Sequence, residues 1–228
     1  MELVRHINGY RIMALALAFM VAVVAGAADK GQDDAAWRHC LGLTGELTSS
    51  DTWQLEASYH WFPVRYAGIG VSLGMWEQYS YGGVPATNEW RTDDDSRCMM
   101  SAFLMPSLLL RTPALIRTES VDIGLMAEPG FMMNVPYSSV TIEMKDKWGL
   151  PTGYDRVSGN RGRWYAFSVR IGVYAAFDPV TLSLGYAWSD LDVYAMRRGM
   201  AYKGTSFGPF YPERKNLGGA FLRVAYSL

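Results

Sequence analysis

The sequence predicts an all-β fold: an eight-stranded antiparallel up-and-down transmembrane β-barrel, preceded by a cleaved signal peptide. Three observations carry that expectation. Apolar residues recur at every second position in eight segments between Trp37 and Leu228, the period that sets one side of a strand against lipid. The other parity carries glycine, serine and ionisable residues, the reverse of a soluble barrel, whose apolar side faces in. The last segment, Asn216 to Leu228, keeps its alternation to the final residue: Ala220, Leu222, Val224, Tyr226 and Leu228 share one side, and Gly219, Phe221, Arg223, Ala225 and Ser227 the other.

Composition narrows the alternatives. Residues are 50% apolar, yet the mean hydropathy is −0.01, which excludes a bundle of membrane helices. A net charge of −1 gives no reason to expect nucleic acid as a partner. Aromatics at 14% with 23 glycines favour short strands and tight turns. At the amino end Arg5, His6 and Arg11 precede an apolar run from Ile12 to Ala25, and Gly26, Ala27 and Ala28 follow. That pattern reads as a secretory signal, and the alternative of a single anchoring helix is disfavoured because the run is shorter than the roughly 20 residues of a span. The expected organisation is residues 1–28 as signal peptide, 29–36 as a polar lead-in and 37–228 as the barrel.

Taken in order, the first strand (about 37 to 48) sets Trp37, His39, Leu41, Leu43 and Leu47 against Arg38, Cys40, Thr44 and Glu46. The second, 52 to 62, sets Trp53, Leu55, Ala57, Tyr59 and Trp61 against Thr52, Gln54, Glu56, Ser58 and His60, and Pro63 is expected to end it. In the third, 67 to 79, Ile69, Val71, Leu73 and Met75 face out over an inner row of Gly68, Gly70, Ser72 and Gly74. The fourth, 97 to 111, is apolar on both sides; Ser101, Ser107 and Arg111 assign its odd side to the interior, and Pro106 predicts a bulge or break. The fifth, about 121 to 133, places Asp122, Gly124, Met126 and Glu128 inside. The sixth has Tyr165, Phe167, Val169, Ile171, Val173, Ala175 and Phe177 outside, with Arg170 inside. Asp178-Pro179 turns into the seventh, whose outer row is Val180, Leu182, Leu184, Tyr186 and Trp188.

Each segment supplies the roughly ten residues needed to cross a 25 Å apolar band. Aromatics fall at both ends, Trp53, Tyr165 and Trp188 at one and Trp61, Phe177 and Tyr226 at the other, where interfacial girdles belong. Connections 63–66, 112–120 and 178–179 are short, while 80–96, 134–162 and 190–215 are long; the first, 49–51, is the exception on the long side. Long loops outside and short turns inside imply both mature termini in the periplasm. Val140, Ile142 and Met144 alternate within the 134–162 loop, a sign of a hairpin above the membrane.

The inward ionisable residues form a candidate lumen charge network: Arg38, Arg111, Arg170 and Arg223 against Glu46, Glu56, Asp122 and Glu128. Signs cancel, and eight strands enclose room only for side chains, so the expected interior is a salt-bridged plug rather than a conduit. His39 faces lipid near the periplasmic edge. His60 faces inward with Glu56 four residues away, and with Ser58 on its face the pair is read as structural, sealed from any outer rim where a hydrolase would need it. Cys40 and Cys98 lie at opposite heights and are expected as free thiols. Asp93-Asp94-Asp95 lacks the alternate spacing of a calcium loop and reads as a solvated tip. No catalytic, metal or cofactor set is expected. Loop contact candidates are Trp90, Trp148, Arg156, Arg161, Arg163, Arg197, Arg198, Tyr202, Phe210 and Tyr211, cationic and aromatic groups suited to lipopolysaccharide phosphates or a partner surface.

The closing run Leu222, Val224, Tyr226 and Leu228 resembles the terminal strand signal of bacterial outer-membrane proteins, with leucine where phenylalanine is usual. Over Trp37 to Leu228 the chain resembles the small eight-stranded outer-membrane barrels typified by the OmpA membrane domain, OmpX and OmpW. Leu110-Arg111-Thr112-Pro113-Ala114-Leu115 and the stretch Ala127 to Tyr137 resemble Bacteroides-type barrels of this kind. The resemblance implies a Gram-negative outer-membrane location, delivery to the insertion machinery through the last strand, contact with outer-membrane lipid and lipopolysaccharide, and a non-enzymatic role in envelope integrity, adhesion or extracellular ligand binding. A narrow small-solute porin and an outer-membrane lipid-modifying enzyme are the alternatives. Signal cleavage predicts a secreted chain starting near Asp29; intact mass of the membrane-extracted protein checks it, and a mass retaining residues 1–28 contradicts it.

Overall fold

The structure, a computed structural model, describes residues 39–48, 52–78, 84–93, 99–213 and 217–228. The signal, the lead-in, Trp37, Arg38, Asp94, Asp95 and Cys98 lie outside the described residues. Eight long strands make a closed antiparallel ring: β1 (His39–Thr48), β2 (Thr52–Val64), β3 (Ala67–Gln78), β5 (Met99–Arg111), β7 (Asp122–Asn134), β10 (Tyr165–Phe177), β11 (Val180–Ser189) and β14 (Leu217–Ser227). Neighbours follow chain order, β14 returns to β1 from Cys40↔Ser227 to Thr48↔Gly219, and β7 pairs with β10 from Asp122↔Ala176 to Met133↔Tyr165.

Parity decides what faces where. Along β14 Leu222, Val224, Tyr226 and Leu228 are 46–66% exposed, whereas Phe221, Arg223 and Ala225 are buried. Tyr165, Phe167, Val173 and Phe177 are likewise exposed on β10 while Arg170 is 1% exposed. The outer surface is apolar and the sealed interior holds the ions, an arrangement stable only where hydrocarbon replaces water outside. Val169 belongs to the outer row yet is buried, because it pairs with Pro129 on one side and Trp188 on the other.

Two proline expectations are corrected. Pro63 does not end β2: the strand continues to Val64, and the ladder with β3 shifts register between Trp61 and Val64, so the missing amide falls in the irregularity. Pro106 causes no bulge, since β5 keeps one register with β3 from Gln78↔Met99 to Ala67↔Leu110; the break is confined to the other side, where the ladder to β7 passes from Leu104↔Met133 to Ser107↔Gly130 without pairing Met105 or Pro106. The odd side of β5 does face in, with Phe103, Met105, Leu109 and Arg111 buried.

The ends differ sharply. At one end the connections are a tight turn at 65–66, the segment between β5 and β7 carrying the two-residue β6 (Ile116–Arg117) paired to Ile123 and Asp122, and Asp178-Pro179. At the other end the loops build a second layer. β4 (Trp90–Thr92), β8 (Ser138–Lys145) and β9 (Pro151–Gly159) form a three-stranded sheet that includes the β8–β9 hairpin. The last loop adds α1 (Ala195–Arg198), the β12 (Ala201–Tyr202) and β13 (Thr205–Ser206) pair and a 3-10 turn at Gly208–Phe210. Placing a cation on the outer band is costly: Val173→Arg is expected to lower unfolding free energy by about 2–4 kcal/mol in lipid vesicles, measured by urea titration, and an unchanged midpoint would contradict the lipid-facing assignment.

Candidate functional site

Inside the ring, strands distant in sequence bring five charged groups together. Arg170 on β10 forks onto Glu56 on β2, Nη1 donating to Oε1 at 2.7 Å and Nη2 to Oε2 at 3.1 Å, and Nη2 also reaches Glu46 on β1 at 3.3 Å. Arg223 on β14 donates from Nη2 to Glu128 on β7 at 2.9 Å and from Nε to Thr44 Oγ1 at 3.0 Å. Arg170 and Glu128 close the circuit at 3.5 Å. The side chains of Glu56 and Glu128 are fully buried and those of both arginines almost so. Buried ions of this kind survive by mutual pairing, and removing one partner leaves an uncompensated charge.

His60 joins this cluster through a partner that local spacing does not indicate. Its Nε2 lies 3.0 Å from Glu128 Oε1, and Ser107 Oγ donates to the same oxygen at 3.0 Å. A carboxylate only accepts, so Nε2 carries the proton. Glu56, four residues along the same strand face, is about 13 Å away by strand rise; the curvature of the ring supplies Glu128 instead. Two network candidates stand apart. Asp122 pairs with Arg117 Nε at 3.0 Å at the short-turn rim. Arg111 sits between the rings of Phe62 and Tyr174, 5.0 and 5.6 Å from their centroids. Arg38 lies outside the described residues. Ser107, Thr44 and Arg117 do not stand out in the sequence as network members; only the register reveals them.

Above the ion cluster the interior becomes apolar and continues into the loops. Trp76, Phe103, Met105, Met132 and Ala166 of the barrel form one core with Trp90, Val140 and Ile142 of the loop sheet and Leu191, Val193, Tyr194, Met200, Phe207, Tyr211 and Leu217. The long loops therefore make a cap rooted in the lumen. Among the contact candidates, Trp90, Arg197 and Tyr211 are buried rather than presented: Trp90 meets Tyr202 edge-on at 5.3 Å, and Tyr211 stacks on Tyr194 at 5.3 Å. Arg163 is tied to Asp190 and Arg198 to Asp192. The Asp192 carboxylate, by its hydrogen bond, holds the Arg198 guanidinium above its ordinary pKa. Tyr202 donates to Asp155 at 3.0 Å, and Phe210 is half-buried. Trp148 at 76% exposure, Arg156 and Arg161 remain on the surface.

Neither described histidine reaches the cap. His39, at the first residue of β1, shares a 2.6 Å hydrogen bond with Tyr59, and both it and His60 lie in the short-turn half. Cys40 is buried and free. Among the described residues no group of three or more His, Cys, Asp or Glu side chains is placed to hold a metal ion.

A closed eight-strand ring with an exposed apolar belt and buried ions is an outer-membrane-type β-barrel. No protein-family model matches the chain, and no curated protein matches it in sequence. Among solved structures, it is similar to the N-terminal β-barrel domain of Pseudomonas aeruginosa OprF (TM-score 0.43, 8% identity, 85% of this chain and 99% of that one). It is also similar to a major outer membrane protein of Thermus thermophilus (0.44, 10%, 86% and 100%) and to the outer membrane enzyme PagL (0.37, 10%, 83% and 99%). These likenesses extend to the arrangement of the strands and no further.

Cutting the ion cluster gives a direct test of its role. Glu56→Leu strands Arg170 and is expected to cost about 3–5 kcal/mol, read as a lower urea midpoint; a midpoint equal to wild type would show that Arg170 is compensated elsewhere.

Proposed function

We propose that this protein is a sealed outer-membrane barrel that acts through its cap, without catalysis, in adhesion, envelope integrity or contact with an anionic surface ligand such as lipopolysaccharide. The observation that carries the reading is the filling of the lumen above the short-turn mouth, from the paired ions Arg170, Arg223, Glu56 and Glu128 into the apolar core shared with the loops. Such an interior leaves no water-filled path for a solute. With the long loops outside, both mature termini face the periplasm, and the outward row Leu222, Val224, Tyr226 and Leu228 is what the insertion machinery would meet.

The cap's own ion pairs leave Trp148, Arg156 and Arg161 as its exposed contact groups. Lys147 Nζ lies 5.1 Å from the Trp148 ring centroid, so the tip of the β8–β9 hairpin is both cationic and aromatic. That chemistry suits phosphate and sugar surfaces. The position of His39 and His60 in the short-turn half supports a non-enzymatic reading, since a lipid-modifying site would need its base among the outer loops.

Two measurements test this. The purified protein in planar bilayers is expected to show no stable conductance, and reproducible open channels would overturn the sealed interior. Replacing Trp148, Arg156 and Arg161 together by alanine is expected to weaken binding to lipopolysaccharide-containing vesicles several-fold, by about 1–2 kcal/mol, with strand content unchanged; undiminished binding would remove the hairpin from the contact surface.

A further inference from the structure

At the mouth opposite the cap, a cavity of about 110 Å³ is walled by Phe62, Tyr66 and Tyr174 and carries three guanidinium groups, Arg65, Arg111 and Arg117. We propose that this cavity is a binding site for a small oxyanion of phosphate size, with Arg111 as its central ligand.

The first support is charge. Arg111 is 9% exposed, and no carboxylate lies within ion-pairing distance of it among the described residues. Its neighbours are the two ring faces and the thiol of Cys40. The carboxylate in the cavity wall, Asp122, is paired to Arg117 at 3.0 Å. Three guanidinium groups against one carboxylate leave two positive charges in a half-enclosed space. At the centre of the lumen Arg170 and Arg223 each have a glutamate, so Arg111 is held in the position of a ligand to something absent from the chain.

The second support is construction. Tyr174 is fixed by donating from its hydroxyl to the Thr112 carbonyl at 2.7 Å, and Arg111 is fixed by its backbone N–H to the Tyr66 carbonyl at 2.8 Å. Both aromatic walls need glycine beneath them: a Cβ at Gly124 would stand 2.7 Å from the Tyr174 ring, and one at Gly68 3.0 Å from Phe62. Aromatic faces beside a guanidinium limit the orientations of its fork, whose N–H groups suit bidentate contact with an oxyanion. Arg65 and Arg117 are exposed and form an approach of like sign. The volume admits an inorganic phosphate or one phosphoryl group and not an acyl chain, so a free phosphate and a phosphomonoester headgroup share the chemistry. The inference uses only the short-turn mouth and is independent of what the cap binds.

The test uses the mature chain folded in detergent micelles, titrated calorimetrically with inorganic phosphate at constant ionic strength made up with chloride. One saturable site is expected, and Arg111→Met is expected to weaken it about tenfold or more. Because Arg111 has no acid partner among the described residues, Arg111→Met is also expected to unfold at the same or a higher urea concentration without phosphate, and to lose the phosphate-dependent rise expected of wild type. Arg65→Gln with Arg117→Gln, both at exposed positions, is expected to weaken phosphate binding by a smaller factor and decides the matter should Arg111→Met fail to fold. Dihexanoyl phosphatidic acid binding more tightly than phosphate, and through Arg111, assigns the site to a lipid headgroup; equal or weaker binding assigns it to a soluble phosphoryl compound. No saturable heat, or heat unchanged in the variants, overturns the proposal.

Discussion

An amide without a hydrogen-bond partner costs several kcal/mol in hydrocarbon, and a strand, unlike a helix, cannot satisfy its own. The pairing of β7 with β10 is where this chain meets that constraint. Its register runs from Asp122↔Ala176 to Met133↔Tyr165 and turns an open sheet into a ring. Without it two long edges would face acyl chains. With it every barrel strand has two neighbours, and side chains need only divide between lipid and lumen, which parity does.

Closure then dictates the chemistry inside. Eight strands enclose too little space for bulk water, so any ion on the inner parity must find its counterion across the ring. Arg170 finds Glu56 and Glu46, and Arg223 finds Glu128, each from a strand far along the chain. Such a cluster is weak as a source of stability against an apolar core of the same shape, but it fixes one arrangement of the strands, because any other register would bury a charge unpaired. Arg111 is the exception: among the described residues it meets aromatic faces and the Cys40 thiol but no carboxylate, which marks the short-turn mouth as different from the centre.

The loop end follows a separate logic. The barrel's upper interior is lined by Trp76, Phe103, Met105 and Met132, an apolar surface that would be wet if the mouth were open. The loops cover it with their own apolar residues, so cap and barrel share one core, and the cap's orientation is held by the ion pairs of Asp190 and Asp192 at the end of β11. The loop sheet is thereby seated on the barrel's own core instead of standing as independent loops.

The strands, their faces and the number of crossings were legible in the residues alone, because a period of two is a local property that each segment states for itself: Leu222, Val224 and Tyr226 face lipid whatever their neighbours are. The β8–β9 hairpin was legible too, through the alternation of Val140, Ile142 and Met144. Contact pairs were not. That His60 meets Glu128 and not Glu56, that Asp122 leaves the central network for Arg117, and that Trp90, Arg197 and Tyr211 are buried all depend on which strands and loops come to face each other. Pro106 makes the same point, since its missing amide interrupts the ladder to β7 while the ladder to β3 runs straight through. Periodicity is encoded residue by residue, whereas partners across a closed ring are fixed by its curvature and stagger, and those exist only once the last strand has joined the first.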